Sequence, residues 1–155
     1  MPESTGSSIL VIGVGNETRG DDAVGLIVSR KLKKELSKDV VEETGDGTRL
    51  VERWREFNIT ILIDAVRSGA EPGRIHRFEA HKSPLPASLF QYSTHAFGVP
   101  QAIELARAMN QLPQMLIVYG IEGKCFDQGA SLSHTVERAA QELVESLALE
   151  IIQHL

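Results

Sequence analysis

Residues 9–25 read ILVIGVGNETRGDDAVG, and the fold is decided in that stretch. Ile9 to Ile12 is a continuous apolar run rich in β-branched residues, halted by Gly13, Gly15 and Asn16, which favour a turn. The pattern is that of a buried strand entering a tight loop. Beyond Asp21 the spacing changes: Ala23, Val24, Leu26, Ile27, Val28 and Leu32 recur at helical intervals, which predicts a helix to about Leu36 with Asp21 or Asp22 as its N-cap. Two adjacent carboxylates therefore stand at a strand-loop-helix junction. In an open α/β sheet, ligands are held at such junctions, at the carboxyl ends of strands. Capping and the positive end of the helix account for one aspartate. The other is left for a metal or a catalytic role.

The alternation continues outward from that stretch. Asp39 to Glu43 predicts a short second strand, and the loop Thr44-Gly45-Asp46-Gly47-Thr48 leads to a helix that buries Leu50, Val51, Trp54 and Phe57. Ile59 to Ile63 is the clearest strand and ends in Asp64, a carboxylate costly to desolvate unless something pairs with it. Backbone N–H groups of the following loop are the plainer partners. A loop from Arg67 to Gly73 precedes a half-exposed edge strand from about Arg74 to Glu79, and His76 and His81 there suit a surface without chemistry. Leu85 to Tyr92 reads as a short helix or irregular loop.

Tyr92-Ser93-Thr94-His95 opens a third helix, capped by Ser93 or Thr94, with Phe97, Ile103, Leu105, Ala106 and Met109 on its buried face. His95 then stands in or beside the first turn, where the helix dipole favours the neutral, metal-binding imidazole; a surface or capping-loop histidine is the simpler alternative. Met115 to Tyr119 is a last strand that continues into Gly120-Ile121-Glu122-Gly123. Ser133 caps a final helix from about His134 to Leu155, with Leu143, Leu147, Leu149, Ile151 and Ile152 as its apolar positions. The order of elements implies a three-layer α/β/α sandwich around a twisted, mainly parallel sheet of about five strands.

The 155 residues fit one domain, 9–155, preceded by a loose polar tail, 1–8. A net charge of −5 argues against nucleic acid, and Arg30, Lys31, Lys33, Lys34 and Lys38 read as the solvated face of the first helix. The single cysteine, Cys125, excludes an intrachain disulfide and a cysteine-based zinc site. No apolar run is long enough to span a bilayer, so a soluble, cytoplasmic protein with no membrane partner is expected.

Several chemistries fail on their residues. A dinucleotide fingerprint would need glycine at Thr18, although Glu42 and Glu43 mimic its ribose-binding acid. There is no phosphate-binding Gly-Lys-Ser or Gly-Lys-Thr, no Gly-x-Ser-x-Gly elbow and no His-Glu-x-x-His helix. Cys125 has no evident base in its loop. What remains is Asp22, Asp64 and His95: if the strands bearing the two aspartates are neighbours, both carboxylates emerge in one crevice that His95 can reach. Two oxygens and one imidazole nitrogen suit a borderline divalent ion such as nickel or zinc, with coordination positions left open.

At these residues the sequence resembles the hydrogenase maturation endopeptidases. Gly13-Val-Gly-Asn16 with Asp21-Asp22-x-x-Gly25 looks like the family's first motif, and Ile63-Asp64-Ala65-Val66 with Ser68-Gly69 and Pro72-Gly73 is similar to its second. Ser93-x-His95 matches the third, and Gly120-Ile121-Glu122 with Ser131-Leu132-Ser133 resembles the closing segment. The resemblance implies an α/β/α endopeptidase that removes a C-terminal extension from the large-subunit precursor of a nickel-iron hydrogenase once nickel is inserted. It implies that Asp22, Asp64 and His95 bind nickel supplied by that precursor, with zinc or cadmium able to substitute in crystals. One departure stands out: the family's Asp-Gly-Gly-Thr, whose aspartate matters for cleavage, is here Gly45-Asp46-Gly47-Thr48. Asp46 is the natural substitute as the catalytic acid, and it or the metal would activate water. Admission of a large precursor favours a monomer. Two alternatives stay open: a non-catalytic metal-sensing or chaperone module, and a small-substrate metallopeptidase that binds metal tightly by itself.

Overall fold

β1 (Ile9–Val14) is buried along its whole length because its side chains alternate between two separate cores. Ile9 and Val11 join one core, and Leu10, Ile12 and Val14 join the other. The computed structural model describes residues 8–36, 39–90 and 95–153. A 3-10 turn (Gly20–Ala23) leads into α1 (Val24–Leu36), followed by β2 (Asp39–Glu43), α2 (Gly47–Trp54) and β3 (Ile59–Val66). Next come β4 (Ile75–Glu79), a 3-10 turn (Ala87–Phe90), α3 (Val99–Ala108), β5 (Met115–Glu122) and α4 (His134–Gln153).

The strands are ordered β2-β1-β3-β5-β4, and all neighbours are parallel except β4, which runs antiparallel to β5 at the edge. Val28 and Leu32 of α1 share the first core with Leu143, Leu147 and Ile151 of α4. Leu50 and Trp54 of α2 share the second with Ile103 and Ala106 of α3, and Phe57 packs at its margin. The result is the expected three-layer sandwich, with one helix pair on each face of a mainly parallel sheet.

Two glycines bring α1 onto the sheet without a gap. A Cβ on Gly25 would lie 2.3 Å from the Val14 carbonyl and 2.4 Å from that of Ile63, and one on Gly13 would lie 2.4 Å from the Gly25 carbonyl. The start of α1 therefore rests on the ends of β1 and β3, and the turn just before it is held over their seam.

Several sequence expectations change. Asp21 and Asp22 lie inside the 3-10 turn, whose N-cap is Arg19, rather than capping a helix. β3 runs on to Val66, so Asp64 sits within the strand, opposite Gly120 of β5. α3 begins at Val99 behind Gly98, whose N–H is received by the Gln101 side chain (3.0 Å). His95 thus precedes the helix, and the expected caps Ser93 and Thr94 lie outside the described residues.

Leu105 and Met109 are 44% and 55% exposed, because the buried stripe of α3 is Val99, Ala102, Ile103 and Ala106. Leu149 and Ile152 likewise fall off the α4 stripe that runs through Val136, Ala140, Leu143, Leu147 and Ile151. Ser133 directly precedes α4, its carbonyl accepting Glu137 N–H, and its hydroxyl donates to Asp21. Of the expected tail, Ser8 is tied to the start of β3 by bonds from Asn58 and Ile59 N–H (both 3.0 Å). The rest of the tail, Lys38 and the end of the last helix, 154–155, lie outside the described residues. No helix among the described residues is long and apolar enough to cross a membrane.

Candidate functional site

β1 is flanked by β2 on one side and β3 on the other, so the chain reverses its direction of progress across the sheet at the β1–β3 seam. Open α/β sheets hold ligands at the carboxyl ends of strands at such a point. A crevice of about 500 Å³ opens there, and Asp22, Asp64 and His95 all line it. The sequence expectation that the two aspartate-bearing strands are neighbours thus corresponds to the β1–β3 pairing. Among the described residues, no three histidine, cysteine, aspartate or glutamate side chains are gathered closely enough to hold a metal ion by themselves. The donors share a wall without forming a closed cage.

Each donor has its own environment. Burial raises the Asp22 pKa, opposed by a hydrogen bond from the Asn16 backbone and by the charges of Arg19 and His95. Asp64 is pushed well above the ordinary carboxylate range, first by burial and then by the Asp22 charge, against a pull from Ala65 N–H, which donates to Oδ1 at 2.8 Å. Both carboxylates are thus held where ionisation is disfavoured, and a positive charge brought between them would offset that penalty. His95 Nε2 lies 3.1 Å from the Thr44 carbonyl. A carbonyl can only accept, so Nε2 is the donor in that contact and the ring is held by the loop after β2. The Gly47 N–H donates to the Phe97 carbonyl (2.8 Å), fastening the histidine's segment to the loop after β2.

Asp46, which stands in that loop, does not line the crevice, although its neighbour Gly45 does. It is the N-cap of α2, its Oδ1 accepting Thr48 N–H at 3.0 Å. Glu42 and Glu43, the pair that mimicked a ribose-binding acid, are engaged by arginines: Arg30 holds Glu42, and Arg49 and Arg53 hold the buried Glu43.

Sequence reasoning assigned no individual role to three features. Asp21, fully buried beside Asp22, turns away from the crevice and accepts hydrogen bonds from Lys124, Cys125 and Ser133. Glu122, at the end of β5, accepts from Ser68 N and Oγ (both 2.7 Å), Gly69 N (3.3 Å) and His76 Nε2 (3.1 Å). Burial pushes its pKa up, but these bonds outweigh that and bring it below the ordinary value. Its signal was the one that singled out Asp64, an acid at the end of a wholly apolar strand. His76, read as a surface residue, is thereby a partly buried partner of Glu122. Phe126, which walls the crevice, had no signal beyond being one aromatic in a loop.

Comparison with known proteins shows the family and the fold. A family model described as "Hydrogenase maturation protease" matches residues 26–150. A putative hydrogenase maturation protease of Methanocaldococcus jannaschii is 31% identical over 153 residues, covering 92% of this chain and 96% of that protein. The hydrogenase expression/formation protein HupD of Thiocapsa roseopersicina is 28% identical, covering 93% of this chain and 67% of its own. Among solved structures, the [NiFe] hydrogenase maturation protease HybD from Thermococcus kodakarensis superposes with a TM-score of 0.74 at 28% identity, over 90% of this chain and 96% of that one. The hydrogenase maturating endopeptidase HybD from E. coli shares the fold with a TM-score of 0.79 at 23% identity, over 94% and 93% of the two chains.

Proposed function

Because the chain belongs to the hydrogenase maturation protease family, we propose that it removes the C-terminal extension of a nickel-iron hydrogenase large-subunit precursor after nickel insertion. Nickel in the precursor is the recognition element, held by Asp22, Asp64 and His95. The observation that carries this reading is that Asp22, Asp64 and His95, from three separate segments, line one crevice at the β1–β3 switch point.

The chain's own residues supply the rest. Asp22 and Asp64 accept the substrate's metal in a site where burial disfavours their bare charges, so binding is strongest to a loaded precursor. His95 adds an imidazole whose ring is oriented by the Thr44 carbonyl. The bound nickel supplies a positive centre that orients the adjacent peptide segment. Asp46 holds Thr48 N–H with Oδ1 and keeps Oδ2 to take a proton from the attacking water, once the substrate extends over the Gly45 rim.

The position of Asp46 outside the crevice lining also favours a second reading, in which the chain binds the loaded precursor and cuts nothing. Intact mass of a candidate precursor, incubated with the protein with and without nickel, decides between them. Loss of the extension only in the loaded sample supports the nickel-gated endopeptidase. Complex formation with no mass change supports the binding module, and cutting of both samples removes nickel from recognition.

A further inference from the structure

The acid adjacent to Asp22 does something different from it. Asp21 is wholly buried, and its carboxylate takes four hydrogen bonds from one distant loop: Lys124 N at 2.7 Å and Cys125 N at 3.0 Å on Oδ2, Ser133 Oγ at 2.7 Å on the same oxygen, and Ser133 N at 2.7 Å on Oδ1. Its own N–H donates to the Cys125 carbonyl at 2.9 Å. Gly20, at φ +57°, lets the loop come this close, since a Cβ there would lie 2.5 Å from that same carbonyl. The neighbouring residues extend the seam: Gly129 N–H donates to the Thr18 carbonyl (2.7 Å), and Arg19 Nε donates to the Phe126 carbonyl (3.4 Å).

What this seam delivers to the crevice is Phe126. Its ring lines the wall, packs over Gly123, where a Cβ would lie 2.4 Å from Cζ, and carries the Arg67 guanidinium 5.6 Å from its centroid. We propose that Asp21 is a positioning residue for substrate binding: through the 123–133 loop it sets the Phe126 wall against which the peptide segment beside the metal is held. A carboxylate is required because all four donors converge on acceptors. An asparagine at the same place presents an NH₂ to at least one buried N–H, leaving both without a partner.

The proposal rests on the processing role above, and its test separates the two. Cys125, the chain's single cysteine, adjoins the Asp21 bonds and reports on the loop without any substrate. Asp21→Asn should be labelled there by a neutral thiol reagent about tenfold faster than the parent, the change expected when a charge-assisted bond to a locally opening loop is lost. On nickel-loaded precursor the same variant should raise KM while kcat falls less. Gly123→Ala, which pushes the Phe126 ring aside, should reproduce that KM increase. In a double-mutant cycle Asp21→Asn should add little to Phe126→Ala, because both act through one ring. A brace that serves stability alone would give additive effects and an unchanged KM, and either that result or unaltered Cys125 labelling overturns the proposal. If the parent chain cuts no precursor, the processing role falls, and the positioning role in that reaction falls with it; the labelling then still judges whether Asp21 holds the loop.

Discussion

Gly25 meets the carbonyl of Ile63 so closely that a Cβ would stand 2.4 Å from the oxygen, and the contact is backbone to backbone. Neither side is a flexible side chain that can swing away. Gly25→Ala must therefore lift the first turn of α1 from the β1–β3 seam and carry Asp22 away from Asp64. We expect a loss of about 2–4 kcal/mol in denaturant unfolding, in the upper range for overpacking a closely fitted core. A variant within about 0.5 kcal/mol of the parent would show that the helix slides without strain.

Asp64 makes stability depend on pH with a sign opposite to that of most carboxylates. Burial, and then the Asp22 charge, hold its folded pKa well above the ordinary value. The folded chain keeps a proton that the unfolded chain has lost, so stability falls as pH rises from the unfolded pKa through the folded one. Asp64→Asn removes this titration while its side-chain oxygen can still accept the Ala65 N–H. In the absence of metal it should be more stable than the parent by about 1–3 kcal/mol at around pH 8, a gap that closes towards about pH 4. Urea midpoints at the two pH values measure it. A gap that does not vary with pH would assign the effect to packing rather than charge.

The parts of this molecule legible in its sequence are those written as periodicity. Ile9 to Ile12 and Ile59 to Ile63 read as buried strands because both of their faces meet a core, so apolar residues dominate both faces, and the structure extends them to Val14 and Val66. Asp22 and Asp64 were legible as acids where a buried strand or its loop gives out, and β1–β3 pairing places them together. The division of labour between Asp21 and Asp22 was not legible. Both follow the same loop, and only the arrival of the 123–133 segment decides which carboxylate turns inward. Leu105 and Met109 misled because their helix starts at Val99, so the stripe that faces the core passes through other residues.

Glu122 has the conventional sign. Its bonds from Ser68, His76 and Gly69 outweigh burial and bring its pKa below the ordinary value. The stabilisation is present above the unfolded carboxylate pKa and is lost as pH falls through the folded one. Glu122→Gln loses the charge and turns an NH₂ toward donors, so it should cost about 1–3 kcal/mol at neutral pH, and less in acid. Amide exchange at Ser68 and Gly69, which donate to Oε2, should quicken before exchange in β3 does. Equal acceleration in both would mean that the carboxylate supports the whole sheet and not the loop.

Asp46 combines a structural duty with the proposed chemical one, and a substitution can separate them. Asparagine caps a helix about as well as aspartate, so Asp46→Asn should preserve the bond to Thr48 N–H and stability within about 0.5 kcal/mol. Asp46→Ala, by contrast, should lose about 1 kcal/mol through the cap. If the carboxylate takes the proton from water, both variants should cut loaded precursor more slowly by about 10²-fold or more while binding it with unchanged affinity. Because only one of the two loses the cap, equal slowing in both assigns the defect to the missing charge. Slowing in Asp46→Ala alone would trace it to the loosened start of α2, where Gly47 holds the segment that carries His95. Normal cleavage by Asp46→Asn would leave Asp46 as a cap and place the activation of water elsewhere in the crevice.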